Sequence, residues 1–232
     1  MKRLGIVTAL APEAAIVRRA AASPPDNITA SIVILSGPGP DRAQHAAREL
    51  VDEGSTALLS FGVAGGLDPA LRPGDIVVAD RVIGPDRSIF HADAGWSDRL
   101  RRTGRDRIGM KLGNIAGVDQ PLRNAREKAA LFATTGAVAL DMESFGVARI
   151  AHEANLDFLA VRAIADPASR TVPAAAIRAM GPDGRTHPLK ALLALLANPS
   201  EIGDFVKLAR DGQAAFAALR RVASLGSGFG LV

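Results

Sequence analysis

The sequence predicts an α/β fold in one compact unit, and three observations carry that prediction. In residues 137–166, AVALDMESFGVARIAHEANLDFLAVRAIAD, two short apolar runs at 137–140 and 158–161 bracket a segment with apolar residues at Val147, Ile150, Ala151 and Ala154. Two strand-length runs around one helix-period segment read as a βαβ unit. The same alternation of short apolar runs with longer amphipathic stretches recurs from residue 4 onward. At 232 residues, 48% hydrophobic and 22% charged, the chain has the material for one sizeable core. It is read as a single domain over 1–232, closing in an apolar helical segment over 186–226.

Residues 4–9 are a first strand, and Ala11-Pro12-Glu13 opens a helix to residue 22, since proline suits a first helical turn. Lys2-Arg3 ahead of the apolar run has the outline of a signal peptide, but Glu13, Arg18 and Arg19 arrive too soon. The run is therefore taken as a buried strand, and the protein is expected to be cytoplasmic. Residues 23–27 form a loop and 32–35 a second strand. Ser36-Gly37-Pro38-Gly39-Pro40 is too rich in Gly and Pro for a regular element, and a helix follows over 41–53. A third strand at 56–61 ends in Gly62-Val63-Ala64-Gly65-Gly66-Leu67, read either as a tight turn or as a place where backbone amides approach a ligand. It has neither dinucleotide nor P-loop spacing.

Arg72-Pro73-Gly74 turns the chain into a strand at 75–82, and the polar stretch 84–103 is expected to be a mobile loop. A strand at 108–116 and a helix at 122–134 lead into the central unit. Beyond it, 167–187 is loop-like with weak helical potential, 189–197 is apolar, and Asn198-Pro199-Ser200 is a break with Ser200 as N-cap. Phe205, Leu208, Ala209, Phe216 and Leu219 then recur at helical spacing as far as Gly226, a helix stop. Core packing is the first reading of these last two segments. A greasy substrate or a weak association with a membrane surface is the second.

Composition excludes several classes. Cysteine is absent, so there is no disulfide framework, thiolate nucleophile or cysteine metal site. His45, His91, His152 and His187 lack ligand spacing, and no metal is expected. The net charge of +4 invites nucleic acid, but the basic residues are scattered apart from the arginines of 99–107. With 4% aromatics and no tyrosine, the stacking faces of a nucleic-acid binder are missing. No apolar run approaches the roughly 20 residues that a bilayer crossing needs.

Polar residues stand at the joints of the central unit. Asp141 and Glu143 lie where the first strand gives way to the helix, and Arg162 and Asp166 lie at and just past the second strand. Ligands of open α/β sheets settle outside the carboxyl ends of strands, so these joints are expected to face one crevice, with Glu13 near the end of the first strand. Glu143 also fits an acidic residue in a first helical turn, and Asp166 before Pro167 an ordinary turn former.

FGVAGGLDPALRPGDIVVAD at 61–80, LDMESFGVARIA at 140–151 and FLAVRAIAD at 158–166, with GIVTALAPE at 5–13, resemble the nucleoside phosphorylase superfamily. The resemblance is closest to its nucleosidase branch, which hydrolyses methylthioadenosine and adenosylhomocysteine. Residues 186–221 are similar to the hopanoid-associated phosphorylases, which remove adenine from adenosylhopane. The resemblance implies a three-layer α/β/α fold around a mixed sheet, a nucleoside substrate, a homo-oligomer and no cofactor, with inorganic phosphate a co-substrate if the reaction is phosphorolytic. It implies that Asp166 protonates N7 of the departing purine, Glu143 after Met142 grips ribose hydroxyls, and Glu13 activates water. By the same resemblance Asp141 and Arg162 are a supporting charge pair, and Ala64 and Gly65 offer backbone contacts.

The chain departs from that pattern in places. Val63 and Ala165 replace serines of the nucleosidases, and Gln120 or Pro121 stands where their purine-stacking aromatic falls, with Phe90 the candidate replacement. Ser60 stands where the phosphorylases carry an arginine, and Glu13 would repel phosphate, which favours water as the nucleophile. Arg42, beside the 37–40 loop, is the one residue offered against it as an anion holder. A non-catalytic nucleoside-binding protein is the alternative of another class, and the joint presence of Glu13, Glu143 and Asp166 speaks against it.

Overall fold

The computed structural model describes residues 2–21, 28–105, 107–179, 181, 183–185, 187, 193, 198–226 and 229. The chain begins with β1 (Lys2–Thr8), α1 (Ala11–Ala21), β2 (Ile28–Leu35), α2 (Pro40–Asp52) and β3 (Ala57–Gly66). It continues with β4 (Ile76–Ile83), β5 (Ile89–His91), α3 (Ala94–Gly104), β6 (Met110–Gly117) and α4 (Ala125–Thr135). Then come β7 (Ala139–Asp141), α5 (Ser144–Glu153), β8 (Asp157–Asp166), α6 (Ala174–Ala179) and the long α7 (Ile202–Ala223).

The strands form one mixed sheet in the order β2-β1-β3-β7-β6-β4-β5, with β8 joined to both β3 and β4. β8 lies parallel to β3 and antiparallel to β4, so β3, β7, β6, β4 and β8 close on themselves. The central strands are buried on both faces, which is why they read as near-continuous apolar runs. Their alternation sorts two layers of core. Leu4, Ile6, Leu59, Phe61, Leu159 and Val161 share a cluster with Val17 of α1, Trp96 of α3 and Leu219 of α7. Val7, Leu58, Phe158, Ala160 and Ile164 share the other with Leu50 of α2 and Val147 and Ile150 of α5. The architecture is three-layer α/β/α around a mixed sheet.

Several expectations are corrected. The central unit is a strand, a helix and a strand, but β7 runs antiparallel to β3 whereas β8 runs parallel to it. An apolar run reports burial and not direction; the pairing of Ile115 and Ala116 with Ala139 and Leu140 sets it. Residues 62–66 are not a turn, since β3 continues through them in pairing with β8. Glycine there serves closeness: a methyl group added at Gly62 would lie 2.7 Å from Glu13 Oε1, and one at Gly65 3.1 Å from Asp166 Oδ2.

Residues 84–103 are not a mobile loop, because they hold β5 and α3. Asp93 caps α3 by accepting from the Trp96 amide at 2.6 Å, and the buried Trp96 indole donates to the Phe229 carbonyl at 2.7 Å. Trp96 and Leu100, four apart, are a buried stripe on an otherwise charged helix. The helix expected from residue 122 starts at Ala125, with Asn124 as N-cap accepting from Glu127 N at 2.9 Å. The weak helical potential of 167–187 is realised as the short α6. Ser200 lies in a short 3₁₀ turn, Pro199–Glu201, and is not the N-cap of α7, which follows Glu201 with no side-chain cap. Along α7, Leu219 is buried as expected, Leu208 and Phe216 are half-buried, and Ala209 is exposed. The loop expected at 23–27 and most of the apolar run 189–197 lie outside the described residues. None of the described helices is long and apolar enough to cross a membrane.

Candidate active site

A cavity of about 580 Å³ opens where β1, β3 and β8 end and β7 gives way to α5. Glu13, Ala64, Gly65, Asp141, Met142, Glu143 and Asp166 all line it. Arg162 does not; it is 2% exposed and lies beneath the floor. β7 runs against the other three strands, yet it is so short, three residues, that Leu140 and Ala139 still sit beside Gly65 and Gly66 at the end of β3. The acidic joints therefore share one cavity even though the strand directions differ from those of a simple βαβ unit.

Glu13 stands in the first turn of α1 and is buried. Its Oε2 accepts from the amides of Ala9 and Leu10 at 3.0 and 2.9 Å, and its Oε1 from the Val63 amide at 2.8 Å. It thus ties the end of β1 to β3. Burial pushes its carboxyl above the usual range, while the Val63 amide and the Arg162 charge pull the other way without cancelling the rise.

Asp141 gathers the first amides of α5. Its Oδ1 accepts from Glu143 N at 3.2 Å and Ser144 N at 3.0 Å, and its Oδ2 from the Ser144 hydroxyl and the Arg162 guanidinium. Arg162 also donates to the Ser60 hydroxyl at 2.6 Å and to the Val161 carbonyl at 3.3 Å. A buried ion pair needs this saturation of its remaining donors and acceptors. Glu143 is 8% exposed and accepts from the Gly39 amide at 3.1 Å. Gly39 has φ of 117°, a backbone open to glycine. Burial first, and then the Asp141 charge, push the Glu143 carboxyl up to about 8.

Asp166 closes β8, and burial pushes its carboxyl up against the pull of Lys128. The Lys128 ammonium, 0% exposed, donates to Asp166 Oδ2 at 2.6 Å. Sequence reasoning passed over Lys128, although a signal was present. It shares a helix face with Leu131, Phe132 and Thr135, and a lysine on an inward stripe stays there only with a partner.

The rest of the lining is apolar, with Leu10, Pro121, Leu122 and Leu140 on one side and Val172, Ala176, Ile177, Leu208 and Phe216 on another. Leu208, Gly212 and Phe216, four residues apart, form one stripe of α7. No lysine or arginine is among the described lining residues. Phe90, the expected stacking face, lies elsewhere: it belongs to the edge strand β5, with its ring 5.8 Å from Phe145 and 5.4 Å from His152. Among the described lining residues the aromatic one is Phe216, and Pro121 rather than Gln120 reaches the cavity. Arg42 is exposed and donates to the Pro38 carbonyl at 3.2 Å instead of lining the cavity. Among the described residues, no group of three or more His, Asp or Glu could hold a metal ion.

Buried acids at strand ends, around an otherwise apolar cavity on a partly closed mixed sheet, mark an α/β enzyme shaped to hold a small organic molecule. The chain belongs to the phosphorylase superfamily, whose sequence profile matches residues 28–197. It is 26% identical to a 5′-methylthioadenosine/S-adenosylhomocysteine nucleosidase of Mycobacterium bovis, a likeness covering 58% of this chain and 69% of that one. A mutant of the Helicobacter pylori 5′-methylthioadenosine/S-adenosylhomocysteine nucleosidase, solved with 5′-methylthioadenosine in its active site, matches with a TM-score of 0.71 at 17% identity over 97% of this chain and 99% of that one. The native futalosine hydrolase of Helicobacter pylori matches with a TM-score of 0.70 at 18% identity over 96% and 97%. The two solved structures share the α/β/α fold described above.

Proposed function

We propose that the protein cleaves the N-glycosidic bond of an adenine nucleoside by hydrolysis. The observation that carries this reading is the lining of one cavity by Glu13, Glu143 and Asp166, acids far apart in the chain. Glycosidic cleavage passes through an oxocarbenium-like state, and the base departs only if its developing negative charge is quenched. In this reading Asp166 gives its proton to N7 as the bond from C1′ to N9 breaks and its electron pair passes to the base. The upward push of burial on Asp166 is the direction a proton donor needs, since an unperturbed aspartate is ionised at neutral pH. Glu13 takes a proton from the water that attacks C1′. Glu143, held at one oxygen by Gly39, offers the other to the ribose hydroxyls. Asp141 and Arg162 support that end from below, Met142 packs beside the sugar, and Ala64 and Gly65 present backbone to the nucleoside.

Water is favoured over phosphate by the charges at hand. Phosphate is held by fixed cations, usually arginine, and Ser60 stands where the phosphorylases carry one. Its hydroxyl is already taken by Arg162. The apolar side formed by Val172, Ile177, Leu208 and Phe216 supports a nucleoside with a bulky apolar 5′ substituent, such as adenosylhopane. Incubation of the purified protein with adenosine or methylthioadenosine, with and without phosphate, tests the reading. Adenine and a free sugar at a rate indifferent to phosphate are expected, whereas a sugar 1-phosphate formed only with phosphate would make the reaction phosphorolytic.

A further inference from the structure

Lys128 is the buried residue of α4, on a helix whose Leu131 and Phe132 pack against Leu67, Ala137 and Leu140. Its ammonium reaches the carbonyls of Asp166, Pro167 and Arg170 at 3.2, 3.0 and 3.2 Å as well as Asp166 Oδ2 at 2.6 Å. Every one of these partners is an acceptor. The charged groups bearing on Asp166 are Lys128, Asp211 and Arg170, and the last two are occupied with each other at 2.6 Å. Lys128 is therefore the cation in direct contact with the acid.

We infer that Lys128 is the positioning and charge partner of Asp166, holding Oδ2 so that Oδ1 meets the leaving base and receiving the carboxylate that forms when the proton departs. The inference rests on the glycosidic reading above. A carboxyl buried without a partner rises by up to about 3–5 pH units, and an adjacent cation brings it down by about 1–3. A general acid works best when its affinity for the proton lies near the working pH. Burial alone would make Asp166 hold its proton too tightly, and the ammonium restores the balance. In the bond-breaking step the proton moves from Asp166 to N7, the electron pair of the C1′–N9 bond passes to the base, and Lys128 keeps all its protons. It ends the step paired with a full carboxylate whose side chain is only 17% exposed.

The same ammonium also ties the turn after β8, so the test needs readouts that a mere tie would not move. Wild type, Lys128→Met and Lys128→Arg are compared on adenosine and on 4-nitrophenyl β-D-ribofuranoside, whose leaving group departs without a proton. Lys128→Met should lose roughly a hundredfold in kcat on adenosine, with little change in KM. Its rate on the nitrophenyl riboside should stay close to wild type. The alkaline limb of its kcat/KM profile on adenosine should move up by roughly 1–3 pH units, and Lys128→Arg should return the limb toward wild type. If Lys128→Met does not fold, Lys128→Gln, which keeps donors for the carbonyls without the charge, carries the same comparison. Equal slowing of both substrates with an unmoved alkaline limb would reduce Lys128 to a tie of the turn and overturn the inference. A wild-type protein that cleaves neither substrate would overturn the glycosidic reading instead.

Discussion

The cavity has two walls of different material. One is made by strand ends, where Glu13 is fixed by three amides, Asp141 by two amides, a hydroxyl and a guanidinium, and Asp166 by an ammonium. The other is made by α6, the segment just before it and α7, where Val172, Ile177, Leu208 and Phe216 contribute bulk and no charge. Buried polar groups with every partner in place hold one geometry, because any shift leaves a donor or acceptor unsatisfied. Apolar surfaces accept substitution while volume is kept. On the proposed function, the first wall performs the chemistry and the second chooses the substrate.

That division can be broken most sharply at Asp166. Asp166→Asn removes the transferable proton and should lower adenine release by roughly a hundredfold to ten-thousandfold, alike for small and large nucleosides, with the circular dichroism spectrum unchanged. A variant that keeps most of the rate would end the assignment.

Glu143 sharpens the comparison through pH. Its folded carboxyl titrates at about 8 against the ordinary 4.5, so the folded protein holds this proton throughout that window and the unfolded chain does not. The associated stability is complete below 4.5 and is lost as pH rises through 8, at about 1.4 kcal/mol per pH unit for one proton. Glu143→Gln, neutral throughout, should lose this slope and be more stable than wild type above pH 8, read from urea midpoints across the window. An unchanged slope would mean that the acid wall carries no such proton.

The packing of Glu13 gives a third test. Gly62→Ala places a methyl 2.7 Å from Glu13 Oε1, and overpacking of this kind costs about 1–3 kcal/mol. Denaturant melts should show that loss, accompanied by a lower kcat. Wild-type stability would show that Glu13 is free to move.

The smallest effect belongs to the second wall. Phe216→Ala should leave turnover of adenosine nearly unchanged and shift the preference for nucleosides with large apolar 5′ groups by about tenfold, the scale at which apolar pockets discriminate. Equal changes for all substrates would merge the two walls into one.

The first wall was legible because its residues sit where strands stop, and strands buried on both faces announce themselves as apolar runs. Direction was not legible, since the run at 137–140 looks the same whichever way β7 is laid. Trp96 and Leu100 were hidden because two buried residues among the arginines of α3 do not raise its apolar content. The second wall was legible only in part. Helical spacing groups Leu208 and Phe216 with Leu219 on one face and leaves core packing and a greasy substrate site as alternatives; in the fold Leu219 is in the core, and Leu208 and Phe216 line the cavity. Lys128 was written on the inward face of α4 and needed only the question of what a buried ammonium would pair with.

The most direct measurement is a crystal structure of Asp166→Asn with adenosine bound. The account expects purine N7 within hydrogen-bond reach, about 3 Å, of the side chain at position 166, with ribose hydroxyls on Glu143 and C1′ open toward Glu13. A nucleoside bound with its base turned away from position 166, or seated outside the cavity, would contradict it.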